Sequence, residues 1–246
     1  MSNYVKFAQV YDVLMQDVPY DDYVNWVKKF APSDQYPQLL DIGCGTGTLT
    51  LKFYQEGYDV SGVDLSGEML AIANERALNE GLSIPFYEMS MDELEGFQQL
   101  DVITIPIDSI NYLETEQSVI ETLNLAYNAL REGGQLFFDV HSLYKMNEIF
   151  MDGPFTYDDG EILYVWHTEK GEEEHSVYHQ ITFFVKDDES NQYDRFDEEH
   201  FQRTFPLEYY NEWLYQAGFS KVEMTADFKE ENPGFDSERI LIRAVK

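Results

Sequence analysis

The run Leu39-Leu-Asp-Ile-Gly-Cys-Gly-Thr-Gly-Thr constrains this chain more than any other ten residues. Leu39 to Ile42 reads as a buried strand. Glycines at 43, 45 and 47 follow at once, with a helical stretch, Thr48 to Glu56, behind them. Glycine tolerates positive φ and puts no Cβ between the backbone and a ligand. A strand, a glycine turn and a helix in this order therefore aim backbone N–H groups into the crevice above a sheet. A dinucleotide fingerprint needs G-x-G-x-x-G, and position 48 is Thr, so the spacing opposes a pyrophosphate cradle and a nicotinamide oxidoreductase.

The rest of the first 150 residues repeats the alternation. Asp21 or Asp22 is placed to cap a helix after Pro19, with Tyr23, Trp26, Val27 and Phe30 at helical spacing and Ala31-Pro32 ending it. Asp59 to Val63 reads as a second strand. Ser66 caps a helix striped by Met69, Ile72, Ala73 and Ala77 and stopped at Gly81. Ile84 to Met89, Val102 to Ile107 and Gln135 to Val140 follow as strands. Val119, Leu123, Ala126, Tyr127 and Leu130 line a helix before the last of them. Strands alternating with helices of this length imply crossovers and a parallel sheet covered on both faces.

After residue 150 the texture changes. Ile162 to Thr168, Ser176 to Val185 and Arg195 to Arg203 are aromatic, β-rich runs separated by Gly171-Glu-Glu-Glu and Asp187-Asp-Glu-Ser-Asn, which predicts an antiparallel meander. A helix from Leu207 to Ala217 and two closing strands, Val222 to Phe228 and Arg239 to Val245, complete the chain. The expected division is a core of residues 1–150 and 206–246, in which 1–35 form a helical cap, and a β insertion of residues 151–205.

Composition narrows the function. The 246 residues carry 16 basic and 47 acidic side chains, a net charge of -31, with no Lys/Arg cluster, which argues against nucleic acid and anionic membranes as partners. No run of about 18 apolar residues and no signal-peptide h-region is present, and the single cysteine, Cys44, fits a reducing compartment, so the expected location is cytoplasmic.

Asp64, at the end of the second strand, can accept hydrogen bonds from both hydroxyls of a ribose. Asp92, after the third strand, reads equally as a helix cap or as a partner for an adenine amino group. With these residues in place the chain resembles the class I S-adenosylmethionine-dependent methyltransferases. Leu40-Asp-Ile-Gly-Cys-Gly-Thr-Gly matches their first motif and Val63-Asp-Leu-Ser-Gly-Glu-Met-Leu the acidic loop. Met91-Asp92 matches the adenine-side loop, Leu100-Asp-Val-Ile-Thr-Ile-Pro-Ile-Asp-Ser strand four, and Leu130-Arg-Glu-Gly-Gly-Gln-Leu-Phe-Phe-Asp-Val the approach to strand five. The closer likeness is to the methyltransferase-25 and glycine/sarcosine type, on Val10-Tyr-Asp-Val-Leu-Met with Tyr20 and the meander after strand five.

The resemblance implies an α/β, Rossmann-like, mostly parallel seven-stranded sheet whose last strand is antiparallel, with the β-meander roofing the acceptor pocket. It also implies S-adenosyl-L-methionine as cofactor. Tyr11 folds over it, Asp41 sits near its methionine end with the amides of Gly43 and Gly45, Asp64 and Leu65 hold ribose and adenine, and Met91 and Asp92 meet the adenine edge. Met69 and Ile105 complete the expected lining.

Methyl transfer from a sulfonium is an in-line displacement, and alignment of the acceptor does most of the protein's work. An oxygen acceptor also calls for a base or a metal. Asp108, Ser109, Asn111, Asp139 and His141 are the candidates at the strand ends, with His141 and Asp108 foremost. The Asn/Asp-Pro-Pro-Tyr sequence of base-amino methylases is replaced by Ile105-Pro-Ile-Asp. His175 and His179 read as one strand, where positions four apart lie roughly 13 Å from each other, too far for a shared metal. Tyr164, Trp166, Tyr178, Phe183 and Phe201 read as core, with a cage for a methylated ammonium as the second reading. The expected partner is a small-molecule acceptor, an amine being favoured by the acidic surface, and a homodimer is compatible with the sequence. A cofactor-sensing module without transferase activity, and a protein or tRNA methyltransferase, are the competing readings.

Overall fold

The computed structural model describes residues 10–11, 15, 17–187 and 192–246; the expected helical turns around Asp12 fall outside them. Strand β1 (Gln38–Ile42) is buried at four of its five positions, as a strand covered on both faces must be. It pairs in parallel with β2 (Asp59–Asp64) on one side and β4 (Leu100–Ile105) on the other. Strands β3 (Phe86–Glu88), β5 (Leu130–His141), β10 (Lys221–Ala226) and β11 (Arg239–Val245) complete a seven-stranded sheet in the order β10-β11-β5-β4-β1-β2-β3. Only β11 runs against its neighbours, pairing antiparallel with both β5 and β10.

Side-chain alternation divides the core between the two faces. Leu40, Ile42, Ile103, Ile105, Leu136, Phe138 and Val140 pack beneath α4 (Glu116–Ala129) and α6 (Leu207–Ala217). Leu39, Val60, Val102, Phe137 and Leu241 meet α1 (Tyr20–Phe30) and α2 (Thr48–Gln55) through Tyr23, Val24, Val27 and Phe53. Helix α3 (Gly67–Asn79) lies beside β2 and is capped by Ser66, whose Oγ accepts the N–H of Met69 at 3.2 Å.

Several boundaries differ from expectation for local reasons. β4 spans Leu100–Ile105 rather than Val102–Ile107, and β10 spans Lys221–Ala226 rather than Val222–Phe228, because Ile107, Asp227 and Phe228 turn to positive φ. Pro19, not Asp21 or Asp22, holds the N-cap of α1, with no side-chain cap. Both aspartates lie in the first turn, where they complement the helix dipole. Strand β3 begins at Phe86 because Pro85 has no N–H to donate, and Ile84 turns into the core instead. Strand β5 starts five residues early, since Leu130 already pairs with Leu100 and an irregularity in register absorbs Gly133 and Gly134 before Val102 meets Gln135.

After α5 (Leu143–Asn147) the chain builds a second, antiparallel sheet from β6 (Phe155–Asp158), β7 (Ile162–Lys170), β8 (Ser176–Lys186) and β9 (Tyr193–Arg203). It has four strands where the sequence suggests three. β6, short and half exposed, carries too brief an alternation to stand out. The inward face of this sheet buries Ile162, Ile181, Phe183 and Val185 around Val10. The roof is fastened to the larger sheet by Gln202 donating to Asp108 at 2.9 Å, Asn111 donating to the Arg203 carbonyl at 2.8 Å and Thr204 donating to the His141 carbonyl at 2.7 Å. Among the described residues, no helix is long and apolar enough to cross a membrane.

Candidate active site

The glycine turn lies between β1 and α2, with Gly43 and Gly45 both at positive φ, +69° and +54°. A Cβ on Gly43 would stand 2.6 Å from Ser109 Oγ, and one on Gly45 would stand 3.1 Å from the Tyr11 hydroxyl. Close approach as well as backbone conformation therefore demands glycine here. Tyr11 lies over the loop, where burial first, then Tyr20, Tyr112 and Asp64, raise its hydroxyl's pKa and keep it neutral.

Asp64 stitches this loop to the next. One carboxylate oxygen accepts the N–H of Gly45 at 2.8 Å and the other that of Ser66 at 2.9 Å. The Gly45 amide is thus committed to Asp64 and does not stand open to a ligand, contrary to expectation. Each Asp64 oxygen keeps a second lone pair, and the side chain is half exposed at the crevice. Leu65 stands at the rim, 71% exposed, with Met69, Met91 and Asp92 half buried nearby in sequence. Asp92 belongs to a short 3-10 turn, Met91–Glu93, and accepts a hydrogen bond from Ser90 Oγ.

Two expected ligand residues are placed elsewhere. Asp41 has no solvent contact. Its oxygens accept hydrogen bonds from Thr50 Oγ1 at 2.6 Å and Thr104 Oγ1 at 2.8 Å, so the carboxylate props the loop from below. Burial pushes its pKa up to about 6 against those two bonds. Ile105 is likewise fully buried, its side chain in the core beneath α4 rather than in the crevice. Cys44 packs against Gly62 as a small buried side chain.

The other half of the crevice is built on charge. Ile107 and Asp108 both adopt positive φ, +56° and +50°, a conformation that a β-branched residue enters only under constraint. The turn carries the Asp108 carboxylate into a cluster. Arg239 Nη2 donates to it at 2.8 Å, Gln202 Nε2 at 2.9 Å, and His141 Nε2 stands 3.2 Å away. Arg239 also reaches Asp139 and donates to Tyr23 Oη at 2.9 Å, while the Asp108 N–H donates to Asp139 at 3.0 Å. Burial works to raise the Asp108 carboxyl, but His141 and Arg239 hold it well below the usual carboxylate range. Burial lowers His141 more than Asp108 raises it, so the imidazole is neutral.

From the roof come His179 and His200, opposite each other on β8 and β9. The ring of Phe150 stands edge-on to both His141 and His179, with centroids 5.2 and 4.9 Å away. His179 is 3% exposed, and burial, then His141 and His200, depress its pKa to about 4. His175 does not share its strand. It precedes Ser176 at positive φ, 3.6 Å from Glu174, so the two histidines are separated by the turn as well as by length. Trp166, Tyr164 and Phe183 line the inward face, whereas Tyr178 and Phe201 pair with each other and Tyr178 is 40% exposed. A cavity of about 670 Å³ opens beside the cluster, bounded by Pro19, Lys145, Phe228 and Arg239.

Sequence reasoning misses Arg239, Gln202 and Tyr23. Each reaches the site by register or packing across more than 90 residues of chain. An arginine at the first position of a closing strand was the single available signal.

The comparisons with known proteins agree with this geometry. Residues 39–134 match the methyltransferase domain family of the methyltransferase-25 type. Over 248 residues the chain is 45% identical to a relative in Geobacillus sp. (strain WCH70) that carries the name of a methyltransferase, covering 99% of both. It is 42% identical over 244 residues to a similarly named relative, YqeM, of Bacillus subtilis (strain 168), covering 99% of this chain and 97% of the relative. Among solved structures, an S-adenosylmethionine-dependent methyltransferase from Clostridium acetobutylicum ATCC 824 superposes with a TM-score of 0.88 at 30% identity, covering 98% of each chain.

Proposed function

The chain belongs to the class I S-adenosylmethionine-dependent methyltransferases, and on that premise we propose that it methylates a small molecule held between the sheet edge and the four-stranded roof. The glycine turn fits the cofactor: a Cβ at Gly43 or Gly45 would intrude where the loop meets Ser109 and Tyr11, and Asp64 offers spare lone pairs for ribose hydroxyls. When bound, the cofactor supplies an electrophilic methyl group on a sulfonium. The protein's own share is to place the acceptor and to keep water away.

Gly43, Gly45 and Asp64 would form the nucleoside side of the cradle, with Leu65, Met69, Met91 and Asp92 at its rim. Tyr11 would close it from above. The observation that carries a small-molecule acceptor is the roof. It bonds directly to the floor at Asp108, Asn111 and His141, which covers this end of the large sheet and favours a small acceptor over an extended macromolecular one. The net charge of -31 supports the same reading against RNA.

Two measurements test the proposal. Calorimetric titration with S-adenosylmethionine should show binding that weakens at least about tenfold in Asp64→Ala, as for loss of a charge-assisted hydrogen-bond pair. Formation of S-adenosylhomocysteine should then be detected with members of a small-molecule panel and not with bulk tRNA or unfolded protein. Unchanged affinity in the variant, or turnover confined to the macromolecules, would count against it.

A further inference from the structure

Two buried imidazole nitrogens at the roof–floor junction, His141 Nδ1 and His179 Nε2, have no hydrogen-bond partner. Both rings are almost wholly buried, at 4% and 3% exposure. A buried polar atom left unpaired costs roughly 1–3 kcal/mol, so a pair of them in one place calls for a function.

Their tautomers follow from their neighbours. The Trp166 indole N–H can only donate, and it lies 3.1 Å from His179 Nδ1. That nitrogen must accept, so in the neutral ring the proton sits on Nε2. The unpaired atom of His179 is therefore a donor. The Gln202 amide N–H is given to Asp108, and His179 Nε2 has no partner of its own. His141 presents Nε2 to Asp108, an ionised acceptor 3.2 Å away, which places the ring proton on Nε2. The unpaired atom of His141 is therefore a lone pair.

One orphan donor and one orphan acceptor, both set against the ring of Phe150, match a neutral group that carries both a proton and a lone pair, as a hydroxyl does. We infer that this junction is the recognition site for a neutral hydroxyl group of the acceptor, which donates to His141 Nδ1 and accepts from His179 Nε2. The inference rests on the proposed function and specifies its acceptor. An ammonium has no lone pair for His179, and a carboxylate has no proton for His141, so neither satisfies both atoms. The cationic amine suggested by surface charge is a poorer fit than an alcohol or phenol. Both nitrogens are sealed from solvent, so binding displaces the Phe150 ring, and the same apolar surroundings, with Trp166, favour an aromatic or similarly apolar bearer of the hydroxyl.

The test uses the full-length ¹⁵N-labelled protein, with imidazole resonances assigned through His141→Gln and His179→Gln. Long-range ¹H–¹⁵N spectra at pH 7.5 should show both rings neutral and protonated on Nε2. Titration with phenol should shift His141 Nδ1 and His179 Nε2 saturably. Anisole and toluene, which lack the hydroxyl proton, should bind at least about tenfold more weakly. His179→Gln, which keeps an N–H donor, should retain most of the phenol affinity, and His179→Leu should lose about tenfold. A proton on His141 Nδ1, a His179 Nε2–H bonded to Gln202 or only to a fixed water, or equal binding of phenol and toluene would overturn the inference. Calorimetric titration of the same sample with S-adenosylhomocysteine separates the two readings. If that ligand binds and phenol fails, the hydroxyl site falls alone. If it does not bind, the cofactor assignment falls, whatever the imidazoles show.

Discussion

Asp41 accepts hydrogen bonds at 2.6 and 2.8 Å, Gly43 leaves no room for a Cβ beside Ser109, and each makes a measurable demand on the fold. Unfolded, the Asp41 carboxyl titrates near 3.8; in the fold, burial raises it to about 6. Its contribution to stability is thus complete below pH 3.8 and is lost as pH rises through 6, by on the order of 3 kcal/mol. Asp41→Asn removes that dependence. Urea denaturation of the two proteins should show the variant gaining on the wild type between pH 4.5 and 7.5; a constant gap would refute the assignment. His179 has the opposite sign, since its depressed pKa near 4 means that stability falls as pH drops below about 6.5. At Gly43, alanine would have to adopt φ +69° with its Cβ 2.6 Å from Ser109 Oγ. Gly43→Ala should lose about 2 kcal/mol of stability and at least tenfold in affinity for S-adenosylmethionine, read by denaturation and calorimetry.

At the level of elements, the antiparallel β11 does more than finish the sheet. Its first residue, Arg239, pairs in register with His141 and so delivers a guanidinium to the ends of β4 and β5, where Asp108 and Asp139 meet. The left-handed turn at Ile107 and Asp108 is held from several directions by these bonds. Arg239→Gln would leave Asp108 beside Asp139 without the guanidinium that bonds both. Breaking a buried pair in this way typically costs about 3–5 kcal/mol, so the variant should show that loss in chemical denaturation. A loss under 1 kcal/mol would mean that the cluster does not anchor the turn. The expected helix α6 and the strand β11 coincide with their observed bounds because each has strong local punctuation, Pro206 and Gly218 around the one and a clean apolar run in the other. Strand β6 has neither, and it becomes a strand because β7 is there to pair with it.

Across the whole molecule, the roof and the cofactor cradle are joined through two adjacent residues. Val10 is buried among Ile162, Ile181, Phe183 and Val185 of the small sheet, and Tyr11 stands over Gly45. A charge at position 10 should release that peg while sparing the large sheet. Val10→Asp is expected to weaken S-adenosylmethionine binding about tenfold, with the circular dichroism spectrum of the core retained; wild-type affinity in the variant would show that the cradle closes without the roof. The resemblance seen in the sequence extends over both units, and the superposition across 98% of the chain agrees with it.

Glycine spacing, strand–helix alternation and the acid after β2 are local properties, written in short stretches where backbone sterics and periodicity act, and they determined the sheet, the cradle and the family. Which carboxylates touch solvent, which nitrogens lack partners and where Arg239 ends up depend on residues up to 216 positions apart meeting at one strand edge. Desolvation and register decide those matters. They turned Asp41 and Ile105 from expected ligands into buried supports, and brought His179 of the roof against Phe150 beside His141.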